Sequence, residues 1–196
     1  MKTIRVALVI SVALILMRPC QGLTVVAPSF QSLVAQAEQI VRVRVTAVTS
    51  AWDDSGGMKR IHTYVACQVI RTLKGDPAET VTLRLLGGQV GEVSMTVTGM
   101  PTFEVGGTYI LFVARNGTAF CPLVGVMHGS YRVTRDPATG AEHIRRSNSE
   151  PLNATRDVEK PMGPAIKAEG AADTPGMTRE DFETAILNQL GHASSQ

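Results

Sequence analysis

The sequence predicts a mainly β protein: a small closed or nearly closed antiparallel barrel, with one helix before it and one after it. Three observations carry this expectation. Stretches of alternating apolar and polar residues recur at close spacing between positions 40 and 146, the period-two signature of half-buried strands. Turn-forming residues punctuate them at Gly87-Gly88, Gly106-Gly107, Asn116-Gly117 and Asp136–Gly140, where chain reversals are expected. Helical spacing is confined to the two flanks. About seven or eight short strands favour closure, because a closed barrel leaves no exposed strand edges.

The chain opens with a basic start, residues 1–5, and an unbroken apolar run from Val6 to Met17. A run of about a dozen residues is too short to span a bilayer and fits the core of a secretory signal. Small residues follow, so cleavage is expected after Gly22, with residues 1–22 removed. Ala27 is a poorer site because Pro28 follows it. Cys20 invites a lipoprotein reading, but Arg18 and Pro19 stand where small residues are needed. The expected location is therefore secreted or periplasmic, with no stable membrane insertion after cleavage.

Residues 23–146 are expected to form the barrel domain with its leading helix. Pro28-Ser29 opens that helix, and Phe30, Leu33, Val34 and Ala37 make its apolar face to about Gln39. Ile40–Ala51 alternates Val41, Val43 and Val45 with Arg42, Arg44 and Thr46, and Trp52 is expected to end the strand. After a polar loop, Ile61–Leu73 returns, with Ile61, Thr63, Val65, Cys67 and Val69 on one side. Leu73–Pro77 is a turn, and Glu79–Leu86 puts Val81, Leu83 and Leu85 inward. The Gly87-Gly88 loop leads to a strand over 93–98, and Tyr109–Ala114 reads as a central strand. Asn116-Gly117 signals a tight hairpin into a strand over 120–126. Strands over 129–134 and 141–145 close the series. Residues 147–176, rich in Pro, Gly, Ala and charge, read as a flexible linker. Over 177–191, Thr178 caps an amphipathic helix carrying Phe182, Ala185, Ile186 and Leu190, and Gly191 stops it.

The layout resembles a family of uncharacterised exported bacterial proteins. The resemblance rests on Phe30-x-x-Leu33-Val34, Ala37-Glu38-x-Ile40-Val41, Trp52, Leu73-Lys74-Gly75, Leu86-Gly87-Gly88, Pro101-x-Phe103, Leu111-Phe112-Val113, Cys121–Gly125 and Asp181-Phe182. The opening unit, from the helix to the Leu-Lys-Gly turn, also resembles the netrin-like barrel of tissue inhibitors of metalloproteinases. That likeness implies an oligonucleotide/oligosaccharide-binding (OB-like) barrel. The inhibitors chelate zinc through an N-terminal cysteine; here only Cys20 is available for that role, and cleavage after Pro19 would be required. The inhibitor is therefore an alternative function, not the leading one.

Chemistry-bearing constellations are sparse. Cys67 and Cys121, the pair left after cleavage, are expected to form a disulfide, as pairs in exported proteins usually do. Closing a loop of about 55 residues would contribute about 4 kcal/mol. A cysteine-dependent hydrolase, with Cys121 or Cys67 beside His128 or His62, is a further alternative. His62, Cys67, Cys121 and His128 lack the close ligand pairs of structural zinc sites, and His143 is isolated, so no metal or other cofactor is expected. Asp53 and Asp54 adjoin in a glycine-bearing loop, where solvated carboxylates are the norm. No helix follows 86–91, which argues against a nucleotide cradle. Asn116 and Asn153 sit in glycosylation patterns, but the bacterial resemblance argues against modification. A net charge of +2 without a basic run, and 5% aromatic residues, argue against nucleic acid. The expectation is a non-enzymatic binding or accessory module contacting another exported protein. Its candidate contact residues are Trp52, Asp53, Asp54, Arg60, Gly87, Gly88 and Gln89.

Overall fold

The computed structural model describes residues 26–54, 57–162 and 175–193; the expected signal segment, with Cys20, and residues 163–174 of the expected linker lie outside the described residues. Ser29 starts the first helix, α1 (Phe30–Gln36), by accepting the Ser32 N–H at 3.1 Å, as a helix N-cap does. Lys74 closes the other end. Its Nζ donates to Val34 O at 2.8 Å and Ala35 O at 3.1 Å. The Leu-Lys-Gly turn thus supplies the cation that a helix C-terminus favours.

The strands are β1 (Gln39–Asp53), β2 (Arg60–Lys74), β3 (Thr80–Leu86), β4 (Gly88–Val90), β5 (Val93–Met95), β6 (Thr108–Val113), β7 (Ser130–Arg135) and β8 (Glu142–Arg146). β1 and β2 form the expected long hairpin, although β1 continues through Trp52 to Asp53. Six strands make one antiparallel sheet in the order β3-β2-β1-β6-β7-β8, and β4 and β5 form a separate ribbon.

Among the described residues no ladder joins β3 to β8, so the sheet is open and the expected closed barrel is not formed. Other groups satisfy its two edges. Beside β3, Asn116 Nδ2 donates to Thr82 O at 2.8 Å, its Oδ1 accepts the Arg84 N–H at 3.3 Å, and the Leu86 N–H donates to Phe120 O at 2.7 Å. One amide side chain here mimics a strand backbone, as buried or edge peptide groups require. Asn116-Gly117 therefore makes no two-residue hairpin, and residues 120–126 form no strand beyond a bridge from Leu123 to Val113. Beside β8, the Ile144 N–H donates to Met177 O and its carbonyl accepts the Leu152 N–H, each at 3.0 Å.

Two cores lie on the two faces of the sheet. Val41, Val43, Val45, Val65, Leu83, Leu85, Leu111, Cys67 and Cys121 build one. Ile40, Ile110, Phe112, Tyr131 and Ile144 build the other with Leu33 and Val34 of α1. β6 contributes alternate residues to both, as a strand buried on both faces must.

The second core also contains Leu152, Val158, Phe182 and Ile186, all 0% exposed. Residues 147–162 are thus packed rather than linker-like. Thr155–Glu159 is a 3-10 turn, and Asp157 accepts the N–H groups of Asn153 and Ala154 at 3.2 Å. Their composition looked loose because few apolar residues, Leu152 and Val158, do the anchoring. The C-terminal helix, α2 (Arg179–Ala193), is capped by Thr178, whose Oγ1 accepts the Asp181 N–H at 3.1 Å. It runs past Gly191, where a side chain would meet open space rather than a packed neighbour. Phe182 sits 4.9 Å from Tyr131, 5.9 Å from Phe30 and 6.2 Å from Phe112, ring to ring. On the same helix, buried Glu183 meets Arg42 at 3.2 Å, Arg71 at 2.7 Å and Arg179 at 3.3 Å. Aromatic packing and this ionic clamp fix α2 to the sheet. Among the described residues no helix is long and apolar enough to cross a membrane.

Candidate functional site

The far end of the β1–β2 hairpin, with β3 beside it, carries a polar cluster that opens to solvent. Register explains its assembly. Asp53 faces Arg60 across the hairpin, and Tyr64 pairs with Arg84 across β2 and β3. Asp53, His62, Tyr64 and Arg84 therefore share one face of the sheet, opposite the face that buries Val65 and Cys67.

Asp53 Oδ2 accepts from Tyr64 Oη at 3.0 Å and from Arg84 Nε at 2.8 Å. His62 Nδ1 lies 3.6 Å from the same oxygen, too far for a hydrogen bond, and is buried without a hydrogen-bond partner. Arg84 Nη1 donates to Gly117 O at 2.7 Å. Burial pushes the His62 pKa down and the Arg84 charge adds to this, while Asp53 opposes. His62 is accordingly neutral at pH 7. Burial and donation to Asp53 raise the Tyr64 pKa. Above these groups lies a cleft of about 310 Å³, lined by Asp53, Arg60, His62 and Arg84 and by apolar Met58 and Phe120. Met58 is 61% and Phe120 45% exposed. Arg60 Nη2 sits 3.9 Å from Met58 Sδ. The cleft's lining places cationic and polar side chains next to apolar ones.

The candidate contact residues separate. Asp53 and Arg60 belong to this cleft, and Asp54 is exposed beside it, its carbonyl accepting the Gly57 N–H at 2.9 Å. Trp52 lies exposed on the other face, with Lys59 Nζ 5.1 Å from its ring centroid. Gly87 and Gly88 are packing positions. A Cβ on Gly88 (φ +132°) would fall 2.4 Å from Ser50 Oγ and Thr63 Oγ1, so only glycine lets β4 cross here. Gln89 is exposed and donates to Gly91 O at 3.1 Å. Beside this crossing is an apolar recess of about 430 Å³, whose lining includes Val48, Val65, Leu85, Met100 and Phe103.

The expected disulfide is absent. Cys67 and Cys121 are free thiols, buried in one apolar core. Burial pushes each to about 11, which suppresses the thiolate that a nucleophile needs. His62 lies on the opposite face of β2 from Cys67. His128 is buried elsewhere, its pKa lowered by burial and by Arg146. Among the described residues no group of three or more His, Cys, Asp or Glu side chains is placed to hold a metal ion.

Sequence reasoning missed Tyr64 and Arg84. The signal was present: once Val65 and Leu83 are assigned inward, His62, Tyr64 and Arg84 fall on one outward face of neighbouring strands. No protein-family model matches the chain, and no curated protein matches it.

Proposed function

We propose that the protein is an exported, non-enzymatic binding or accessory module that contacts another exported protein through the cleft face of its hairpin. The observation that carries this reading is the rim of the cleft. Met58 and Phe120 stand exposed around Arg60, His62 and Arg84 at the outer end of the hairpin. Exposed apolar side chains grouped around arginine are typical of contact surfaces. Asp53 is already engaged by Arg84 and Tyr64, and His62 is neutral, so the site is suited to recognition more than to proton transfer. The complementary partner presents a carboxylate next to an apolar side chain.

The strand order supports the OB-like, netrin-like reading. A three-strand meander, β1 to β3, is followed by a return of the chain to the other side of β1, and the Asn116 segment occupies the place where closure would occur.

The test is retention of a partner from the exported fraction of the source cells, followed by mass spectrometry. Wild type retains a specific protein, and Arg60→Glu and Phe120→Ser lose it with Tm unchanged. Retention by both variants, or no specific retention by wild type, refutes the reading.

A further inference from the structure

Among the described residues, the outer half of β1 pairs with a single strand. β6 pairs with β1 only from Gln39 to Arg44. The last backbone bonds on that side are the Val45 N–H to Gly107 O at 2.9 Å and the Gly106 N–H to Val45 O at 2.8 Å. Beyond an irregularity between Val45 and Ala47, the strand pairs with β2 alone through Asp53. Register fixes where its backbone groups point. The Ile61 carbonyl accepts the Gly87 N–H at 2.8 Å, so Ile61, Thr63 and Val65 turn their peptide groups toward β3. Their partners in β1 are Trp52, Ser50 and Val48. These residues therefore turn N–H and C=O away from β2, onto an edge where no described backbone group meets them.

No charge or proline on the strand itself blunts that edge. Residues 46–52, Thr-Ala-Val-Thr-Ser-Ala-Trp, contain no charge and no proline, the usual guards against strand addition. Val48 is 37% and Trp52 41% exposed. They share a face with Ser50, the face of the apolar recess that Val48 itself lines.

We propose that this edge pairs with a second copy of the chain, two β1 strands running antiparallel about a two-fold axis at Ser50. The proposal goes beyond the cleft and uses a different surface. The register is self-complementary. Ser50 lies opposite Ser50 of the partner subunit, and Val48 lies opposite Trp52 of the partner subunit. Each of these residues both donates and accepts across the seam. Directly opposed side chains lie on one face, so each Trp52 covers the other subunit's recess beside Val48, Met100 and Phe103. An aromatic residue opposite a β-branched one is a favoured cross-strand pair. No like charges meet along the seam, and the interface is isologous, closing at two subunits. The recess also explains why Trp52 and Val48 are left open in a single chain: each subunit holds the surface that the other buries.

Sedimentation velocity over a dilution series of the full chain tests this. Wild type sediments as a dimer. Trp52→Glu and Val48→Lys sediment as monomers with unchanged far-UV circular dichroism, a weakening of about tenfold or more in the dissociation constant. Trp52→Phe keeps the dimer, and so does Arg60→Glu, which separates this edge from the cleft. A wild type monomeric at every concentration, a variant with charge at 48 or 52 that remains dimeric, or a monomer whose edge takes up an unrelated peptide would each overturn the proposal.

Discussion

Two halves of one strand live in different surroundings. From Gln39 to Val45, β1 lies between β2 and β6 with a core on each face; Ile40, Val41, Val43 and Val45 are at most 1% exposed. From Ala47 to Asp53 it pairs, among the described residues, with β2 alone, and Val48 and Trp52 stay open. Both halves are written in the same alternating pattern. The difference comes from the neighbour: β6 has 6 residues and cannot line the 15 of β1. One strand thereby serves as scaffold at one end and as contact surface at the other, so stability and recognition are separable by position along it.

The strongest way to break this contrast is to truncate one side chain in each region. Phe182→Ala empties the meeting point of four aromatic rings and is expected to cost about 3–5 kcal/mol. Met58→Ala, at the hairpin end, is expected to stay within about 0.5 kcal/mol. Urea denaturation measures both. Comparable losses would show that the hairpin end is part of the cooperative core.

A smaller effect comes from two carboxylates of opposite design. Glu183 is 2% exposed and held among three arginines. Glu183→Gln removes the carboxylate that Arg42 and Arg71 share, while Arg179 keeps Glu142 and Glu180, and about 3 kcal/mol of stability is expected to go. Asp53 faces one arginine and a tyrosine at the edge of a cleft. Asp53→Asn keeps an acceptor for both, and about 1–2 kcal/mol is expected. The ranking, read from the same urea midpoints, is the point; a reversed order would make the cleft cluster the structural one.

The sequence was legible where the pattern had one physical cause. Alternation in 40–51 and 61–73 placed the long hairpin, and Tyr109–Ala114 gave the central strand, because burial on both faces demands a continuous apolar run. Ser29 and Thr178 marked both helix starts through local capping. Where a long-range partner decided the outcome, the pattern failed. Asn116-Gly117 has hairpin chemistry, yet Asn116 is held by Thr82 and Arg84, distant in sequence. Closure was inferred from strand count, but edges can be satisfied by a side chain or by residues 150–152. Leu152 and Val158 were hidden in a polar stretch. At the cleft, Asp53 and Arg60 were visible as loop residues, whereas Tyr64 and Arg84 read as ordinary outward positions until register brought them to Asp53. The cysteine pair followed a compartment rule that says nothing about whether two buried thiols are joined.

The smallest expected effect uses protons to tell the two regions apart. His62 belongs to the hairpin end and His128 to the body of the fold, and burial lowers both pKa values from the ordinary 6.5. A histidine held neutral by the fold binds its proton more readily in the unfolded chain. Stability is therefore complete above about pH 6.5 and declines as pH falls through that value toward the folded pKa values. Between about pH 7.5 and 5.5 the ordinary carboxylates remain ionised, so the decline reports the histidines. Their consequences differ with location. Protonating His62 strains a hairpin supported on one side only, so amides of residues 47–53 and 60–66 should exchange faster at the lower pH without global unfolding. Protonating His128, 2% exposed and under the Arg146 charge, acts on the packed body and should lower Tm. Hydrogen exchange and calorimetry at the two pH values separate the effects. His128→Gln should flatten the Tm change while leaving the local opening in place. If His62→Gln flattened the Tm change instead, the hairpin end would carry global stability, and the division along β1 would be wrong.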